Sequence, residues 1–402
     1  MLVKNVTMLG HKDHGKSTLI GSILMLTKSV SNARIKEAQK YSKKLGKPFE
    51  PAFILDSFEE ERKGGLTIDT TRAEVKYKDL AFEMIDVPGH EELIKNMMSG
   101  ASFADAAVLL VSAKPEEGIK DQTKRHIFVA KMLGVEKLVV AVNKMDMVNY
   151  NIEEYKKISN EIKLFLDKIG FGKNVEFVPI SAYNGENIIK KSSKMKWYKG
   201  MPLLEVLYKM AKRKDKLTKS ELRALIQGQI NSNAATTLGV KVLSGVLKPG
   251  FVGISPQGFE RNISKIVVNG KKVKKAVAGE SAAIDINAPI ENPRGSVLLN
   301  GTPVVGKDIR ALLFTVAKLK NNSKLSIRIL GKEIKGSIKI IEIIEASSGT
   351  KIGGKEIASL DAGIVNIKLN KPIPFEKYAD VKELGRFSFY VGKKFCGIGI
   401  II

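Results

Sequence analysis

The chain has 402 residues, 44% of them hydrophobic and 27% charged, which is enough apolar material for packed cores and excludes a chain disordered throughout. At roughly 100 to 200 residues per domain, this length implies two to four domains. Lys and Arg number 67 against 42 Asp and Glu, a formal net charge of +25, and a single cysteine, Cys396, excludes a disulfide framework and a cysteine-ligated zinc site.

The first residues, Met1 to Thr7, read as a strand with no signal-peptide core. No apolar run reaches the ~18 residues that a spanning helix needs, so no membrane association is expected and the cytoplasm is the expected compartment. Strand-like runs follow at Val3–Leu9, Phe82–Ile85, Ala107–Ser112, Leu138–Val142 and Glu176–Pro179. Helical patterns lie between them at Glu91–Ser99, Gln122–Leu133 and Glu153–Ile169. Strands alternating with helices predict an α/β domain with a doubly wound, mainly parallel sheet, whose ligands bind at the carboxyl ends of the strands. After a helical pattern at Met201–Ala211, the charged stretch Lys212-Arg213-Lys214-Asp215-Lys216 reads as a linker. Beyond it come short β-branched runs separated by Gly and Asn, such as Gly239–Leu243, Ile263–Val268, Leu325–Leu330, Ile338–Ile344 and Ile364–Leu369. These predict two small antiparallel β-barrels. The expected division is residues 1–213, 217–302 and 303–402. The charge is uneven: residues 1–213 carry 36 basic and 27 acidic residues (+9), and residues 214–402 carry 31 and 15 (+16). An excess of this size suits a polyanionic partner such as RNA.

Four motifs carry chemistry. Gly10-His11-Lys12-Asp13-His14-Gly15-Lys16-Ser17, followed by Thr18, matches the phosphate-loop pattern directly after a strand and before a helix. Its backbone N–H groups would cradle phosphates, Lys16 would reach the β- and γ-phosphates, and the Ser17 hydroxyl would bind Mg²⁺. Asp86-Val87-Pro88-Gly89-His90 ends another strand. An acid there can hold Mg²⁺, usually through water, Gly89 allows close approach to a γ-phosphate, and His90 can orient a water for attack. Asn143-Lys144-Met145-Asp146 ends a third. The Asp146 carboxylate can accept from N1–H and the 2-amino group of guanine, a donor pair that adenine lacks. Ser181-Ala182 would complete the base site. Thr67, in the Gly-containing stretch Glu61 to Asp69, can ligate Mg²⁺ when a γ-phosphate is present and release it otherwise.

The strings His11 to Ser17, Asp56 with Glu59 to Arg62 and Leu66 to Asp69, Asp86 to His90 and Asn143 to Asp146 resemble the translational GTPases of the elongation factor 1-alpha and Tu superfamily. The helical insertion before Asp56 and Trp197-Tyr198-Lys199-Gly200 are similar to its archaeal and eukaryotic branch. Gly245 to Gly250, Leu384 to Phe387 and Gly397 to Ile402 resemble parts of its second and third domains. The resemblance implies a monomeric GTPase with Mg²⁺ held by Ser17, Thr67 and Asp86, His90 positioning the attacking water, and GTP or GDP as ligand. It also implies the ribosome, tRNA or a tRNA-mimicking protein, and a nucleotide exchange factor as partners. Three departures stand out. Lys12 replaces a small apolar residue, Ser232 to Leu238 lacks the usual glycine- and valine-rich loop, and no histidine follows His126. Three readings follow: a tRNA-delivering elongation factor, a sibling that delivers a rescue or release protein, and the GTPase subunit of sulfate adenylyltransferase. Ala113 to Gly118 and Asp121 to His126 resemble the last of these.

Overall fold

The protein is seen in a computed structural model, which describes residues 2–11, 13–44, 46, 48–55, 71–86, 105–171, 175–212, 220–232, 236–301 and 304–402. The chain forms two compact units, Met1–Arg213 with Glu345–Thr350, and Lys214–Ile344 with Lys351–Ile402.

The first unit is built on a six-stranded sheet. Its strands are β1 (Leu2–Gly10), β2 (Thr71–Tyr77), β3 (Leu80–Asp86), β4 (Ala106–Ser112), β5 (Leu138–Asn143) and β6 (Val175–Pro179). Their order is β2-β3-β1-β4-β5-β6. All pairs are parallel except β2 with β3, which form a tight hairpin. Every residue of β4 and β5 is buried, so these strands read as unbroken apolar runs, as expected for a sheet covered on both faces. The described helices are α1 (Lys16–Leu26), α2 (Asn32–Lys44), α3 (Asp121–Met132), α4 (Ile152–Lys168) and α5 (Leu203–Lys212). Helices α1, α2 and α5 place Leu19, Ile23, Ala38, Leu203 and Leu207 in one core with Val6, Met8, Phe82, Met84, Val108, Leu110 and Val139. The alternate strand residues Ala107, Leu109, Val111, Val140 and Val142 are equally buried and point to the opposite face. The five strands expected from the apolar runs are present. The edge strand β2 was not expected, because its polar alternation Arg72-Ala73-Glu74-Val75-Lys76 buries only Ala73 and Val75. Lys212, expected in a linker, instead ends α5 and pairs with Asp79. The predicted helix Glu91–Ser99 lies outside the described residues.

Two closed six-stranded antiparallel barrels make up the second unit. The first contains β7 (Arg223–Asn231), β8 (Thr236–Ser244), β9 (Gly250–Ser255), β10 (Phe259–Val268), β11 (Ser281–Ile286) and β12 (Val297–Leu299). They run in the order β9-β12-β7-β8-β11-β10, and β10 pairs back to β9. The second contains β13 (Val304–Thr315), β14 (Lys324–Ile329), β15 (Lys332–Glu345), β16 (Ala362–Phe375), β17 (Arg386–Val391) and β18 (Lys394–Ile401). Their order is β14-β17-β18-β13-β16-β15, closed by β14 with β15. Closure removes the free sheet edges that would otherwise pair with other chains. Each barrel has its own core, one around Ile226, Val240, Ile254, Ile266 and Ile284, the other around Leu313, Ile327, Val365, Ile367 and Phe389. Arg223, only 7% exposed, joins them: its guanidinium donates to Glu376 at 2.8 Å, to Glu221 at 3.0 Å and to the carbonyls of Leu222 and Asn300. Leu243 and Val297 of the first barrel also form one apolar cluster with Val381 and Leu384 of the second. Among the described residues, no helix is long and apolar enough to cross a membrane.

Phe389 is fully buried at the centre of the second barrel. Phe389→Ala is expected to destabilise this unit by about 3–5 kcal/mol through lost burial and a residual cavity, read as a shifted urea midpoint.

Candidate nucleotide site

The described motif residues converge at the carboxyl ends of the parallel strands. Register places Asp86 beside Met8, Leu110 beside Gly10, Asn143 beside Ser112 and Pro179 beside Val142. Strand order reverses across β1 and β4, which is the switch point where such sheets open a crevice.

The loop from Gly10 to Ser17 turns sharply out of β1. Gly10, Asp13 and Gly15 all have positive φ, at 141°, 66° and 90°. A Cβ on Gly10 would stand 2.6 Å from the Leu110 carbonyl oxygen, and one on Gly15 would stand 2.5 Å from Asn143 Nδ2. Glycine is therefore required at both positions for the loop to lie against β4 and β5. Helix α1 starts at Lys16, so its first N–H groups have no partner within the helix and its positive dipole end faces the loop. Lys16 Nζ donates to the carbonyls of Gly10 at 3.0 Å and His11 at 3.1 Å. Burial pushes its pKa down, against the attraction of Asp86 and Asp13. A half-buried ammonium that donates to two carbonyls is well suited to phosphate oxygens.

Ser17 Oγ donates to Asp86 Oδ2 at 3.0 Å, across 69 residues of sequence. A hydroxyl and a carboxylate side by side form the hard-oxygen donor set that Mg²⁺ takes, completed by water and phosphate. Among the described residues no group of three or more His, Cys, Asp or Glu forms a metal cage. Thr67 and the stretch Val87, Pro88, Gly89 and His90 lie outside the described residues, as does Lys12.

Asn143 ties the site together. Its Nδ2 donates to the His14 carbonyl at 2.8 Å, and its Oδ1 accepts from the Ala182 N–H at 2.9 Å. One buried amide thus links the phosphate loop to the Ser181–Ala182 turn. Ser22 on α1 also donates to the Ala182 carbonyl, closing the link from the other side. Lys144 adopts φ 60° and leads into a short 3₁₀ turn, Met145–Val148, which carries Asp146. Met145 is fully buried and anchors that turn, its N–H donating to the Ile180 carbonyl at 3.2 Å. Lys144 Nζ pairs with Glu117 at 2.6 Å. Burial pushes the Glu117 carboxyl up, but hydrogen bonds from Lys144 and Ser112 outweigh it and hold the pKa at about 2. His11 Nδ1 contacts Gln122 Oε1 at the start of α3. These supporting contacts of Asn143, Glu117, Gln122 and Ser22 escape a motif search, because no local spacing announces partners that are 27 to 160 residues apart.

His14 is fully buried, its Nδ1 at 3.1 Å from the Leu110 carbonyl oxygen and its ring 5.5 Å from that of His11. Burial lowers its pKa below the ordinary 6.5, with a further push from His11, against the Leu110 hydrogen bond.

This geometry is that of a phosphate-loop GTP-binding domain. The family model described as "Elongation factor Tu GTP binding domain" matches residues 1–213. "Elongation factor Tu domain 4" matches 223–299, and "GTP-eEF1A C-terminal domain-like" matches 309–402. The chain is 35% identical to "Elongation factor 1-alpha" of Saccharolobus solfataricus over 419 residues, covering 99% of this chain and 96% of that protein. The same figures for the Ignicoccus hospitalis protein of that name are 35% over 430 residues, 99% and 95%. A solved structure of Sup35 complexed with GDP covers 100% of this chain and 94% of its own at 22% identity, with a TM-score of 0.45. The chain belongs to the elongation factor Tu and 1-alpha family of translation GTPases, and it hydrolyses GTP.

Two outcomes are expected at this site. Asn143→Ala leaves the Ala182 N–H and the His14 carbonyl without their partner, so GDP and GTP affinity should fall at least about tenfold, about 1.4 kcal/mol, in titrations with a fluorescent GDP analogue. The second concerns pH. The unfolded chain protonates His14 before the folded chain does, so this contribution is intact above about pH 6.5. It is lost as pH falls from there towards the depressed folded value, at up to about 1.4 kcal/mol per pH unit. Melting temperature should drop between about pH 7 and 5, and His14→Gln should flatten that slope.

Proposed function

We propose that this protein delivers tRNA to the ribosome in a GTP-dependent cycle. The observation that carries the reading is the tie from Asn143 to both the phosphate loop and the Ser181–Ala182 turn, in a chain matched from end to end by elongation factor 1-alpha proteins. In this reading residues Gly10 to Thr18 hold the phosphates, and Asn143 to Asp146 with Ser181 and Ala182 hold guanine. Ser17, Asp86 and Thr67 serve Mg²⁺, which neutralises charge on the β- and γ-phosphates. His90 positions the attacking water. Phosphoryl transfer depends mainly on positioning and charge stabilisation, so turnover is slow until the ribosome orders the site. The division into 1–213, 217–302 and 303–402 assigns the nucleotide to the first part and cargo to the barrels, and the protein works as a cytoplasmic monomer with an exchange factor.

The test is filter binding of charged and uncharged tRNA and of ribosomes, with GTP and with GDP, alongside ribosome-stimulated hydrolysis. GTP-dependent preference for charged tRNA is expected. His90→Ala should leave GTP affinity nearly unchanged and slow stimulated turnover by about a hundredfold or more. GTP-dependent ribosome binding without preference for charged tRNA would replace the tRNA cargo with a tRNA-mimicking protein, consistent with the altered Ser232–Leu238 loop. No binding in any state would overturn both and leave a metabolic GTPase. Turnover by His90→Ala at the unmutated rate would remove the water-positioning role.

A further inference from the structure

Residues 190–199 hold five lysines, Lys190, Lys191, Lys194, Lys196 and Lys199, and no acidic residue. The segment contains no regular helix or strand, yet it is pinned at every second or third position. Asn187, 1% exposed, donates to the Pro179 carbonyl at 2.9 Å and accepts from the Ser192 N–H at 2.7 Å. Ile188 and Met195 are fully buried. Ser192 accepts from the Lys194 N–H at 3.1 Å. Trp197 donates from its indole N–H to the Tyr150 carbonyl at 3.0 Å and packs 5.2 Å from Tyr155, and the Tyr198 hydroxyl reaches the Phe177 and Met201 carbonyls. All five lysines remain exposed between these anchors. Lys194 lies over the Tyr150 ring and pairs with Glu186 at 3.5 Å, the only carboxylate among the described residues that pairs with any of the five. Glu186 in turn closes the Ser181 turn, which presents a half-exposed Tyr183 ring.

A coil whose backbone is anchored at these positions holds five like charges within ten residues, two of them folded back on the segment through Lys191 Nζ to the Lys199 carbonyl at 3.3 Å and Lys199 Nζ to the Lys196 carbonyl at 2.9 Å, so little backbone order is left to gain on binding. The apolar residues of the segment point inward, so it offers none of the apolar anchors that protein interfaces centre on, and lysine is depleted at such interfaces. Its exposed chemistry is ammonium groups, with an aromatic face nearby, which suits phosphate backbone and a stacked base. We propose that residues 190–199, with Tyr183, form an RNA-binding face on the first unit, beside the Ser181–Ala182 turn of the nucleotide site. The inference takes from the translational reading only that RNA is the polyanion at hand. The face is built from fixed anchors, so it contributes equally with GDP and GTP.

Trp197 is the only tryptophan of the chain and sits at the root of this segment, so its fluorescence reports occupancy in the intact protein. An RNA hairpin is titrated over a salt series with GDP bound, against the unmutated protein, Lys190→Gln/Lys191→Gln/Lys196→Gln, and a control. The control, Lys271→Gln/Lys272→Gln/Lys274→Gln, removes the same charge from exposed lysines of the first barrel. The first triple variant leaves Asn187, Ser192, Met195 and Trp197 untouched, and unchanged GDP affinity verifies its fold. Expected are a Trp197 fluorescence change on RNA binding, an affinity loss of about tenfold or more, and a slope of log K against log salt reduced by about two to three, with a smaller effect in the control. The proposal is overturned by any of four results: unmutated protein that ignores the hairpin, a triple variant that binds like the unmutated protein, a control that loses as much, or polyglutamate that displaces RNA at equal charge. The last would make the partner an acidic protein. GTP-dependent ribosome binding is measured separately, so this face and the translational reading can fail independently.

Discussion

The nucleotide site depends on one amide. Asn143, buried at the end of β5, spends its two functional atoms on two separate loops, donating to His14 and accepting from Ala182. A hydrogen bond left unmade in such a place costs more than one formed gains, so the two loops are held in a single relative position. Gly15 packs against the same amide so closely that a Cβ would overlap it. The Gly10–Ser17 loop and the Ser181–Ala182 turn are thereby tied to one another through protein atoms alone, which is what preorganisation requires.

Around that tie the electrostatics are arranged for an anion and a hard cation. Lys16 is half-buried against carbonyls that cannot neutralise it, and the Ser17 hydroxyl faces Asp86. Glu117 does not compete for these groups, because Lys144 and Ser112 keep it ionised and engaged at the base side. Burial lowers the His14 pKa, so the loop's positive character rests on Lys16 and the N-terminus of α1 more than on that imidazole.

The second unit solves a different problem. A six-stranded barrel of this size buries a single shell of side chains, and each barrel here has a core of its own. Arg223 joins them through two carboxylates and two carbonyls, a bidentate-capable fork that lysine does not reproduce. Removing Arg223 would leave the largely buried Glu376 carboxylate without its cation, so the contact specifies how the barrels meet more than it adds stability.

Much of this was legible in the sequence because its signals are local. Gly10 to Ser17 announces a phosphate loop by spacing alone, the apolar runs at Leu138–Val142 and Ala107–Ser112 announce buried parallel strands, and β-branched alternation announces barrels. The resemblance carried by those strings named the family. The edge strand β2 was hidden because its polar face masks the alternation, and Lys212 read as linker because a charge run looks the same at a helix end. The tertiary structure alone decided the ties between distant residues: Asn143 with His14 and Ala182, Ser17 with Asp86, Gln122 with His11, Glu117 with Lys144. It also left the five lysines of residues 190–199 exposed by burying Ser192 and Met195 between them and Ile188 just before them. The physical reason is the same in each case. Spacing along the chain encodes the period of a strand or helix, whereas a hydrogen bond across a hundred residues or a charge held by buried anchors exists only after the sheet has brought its strand ends together.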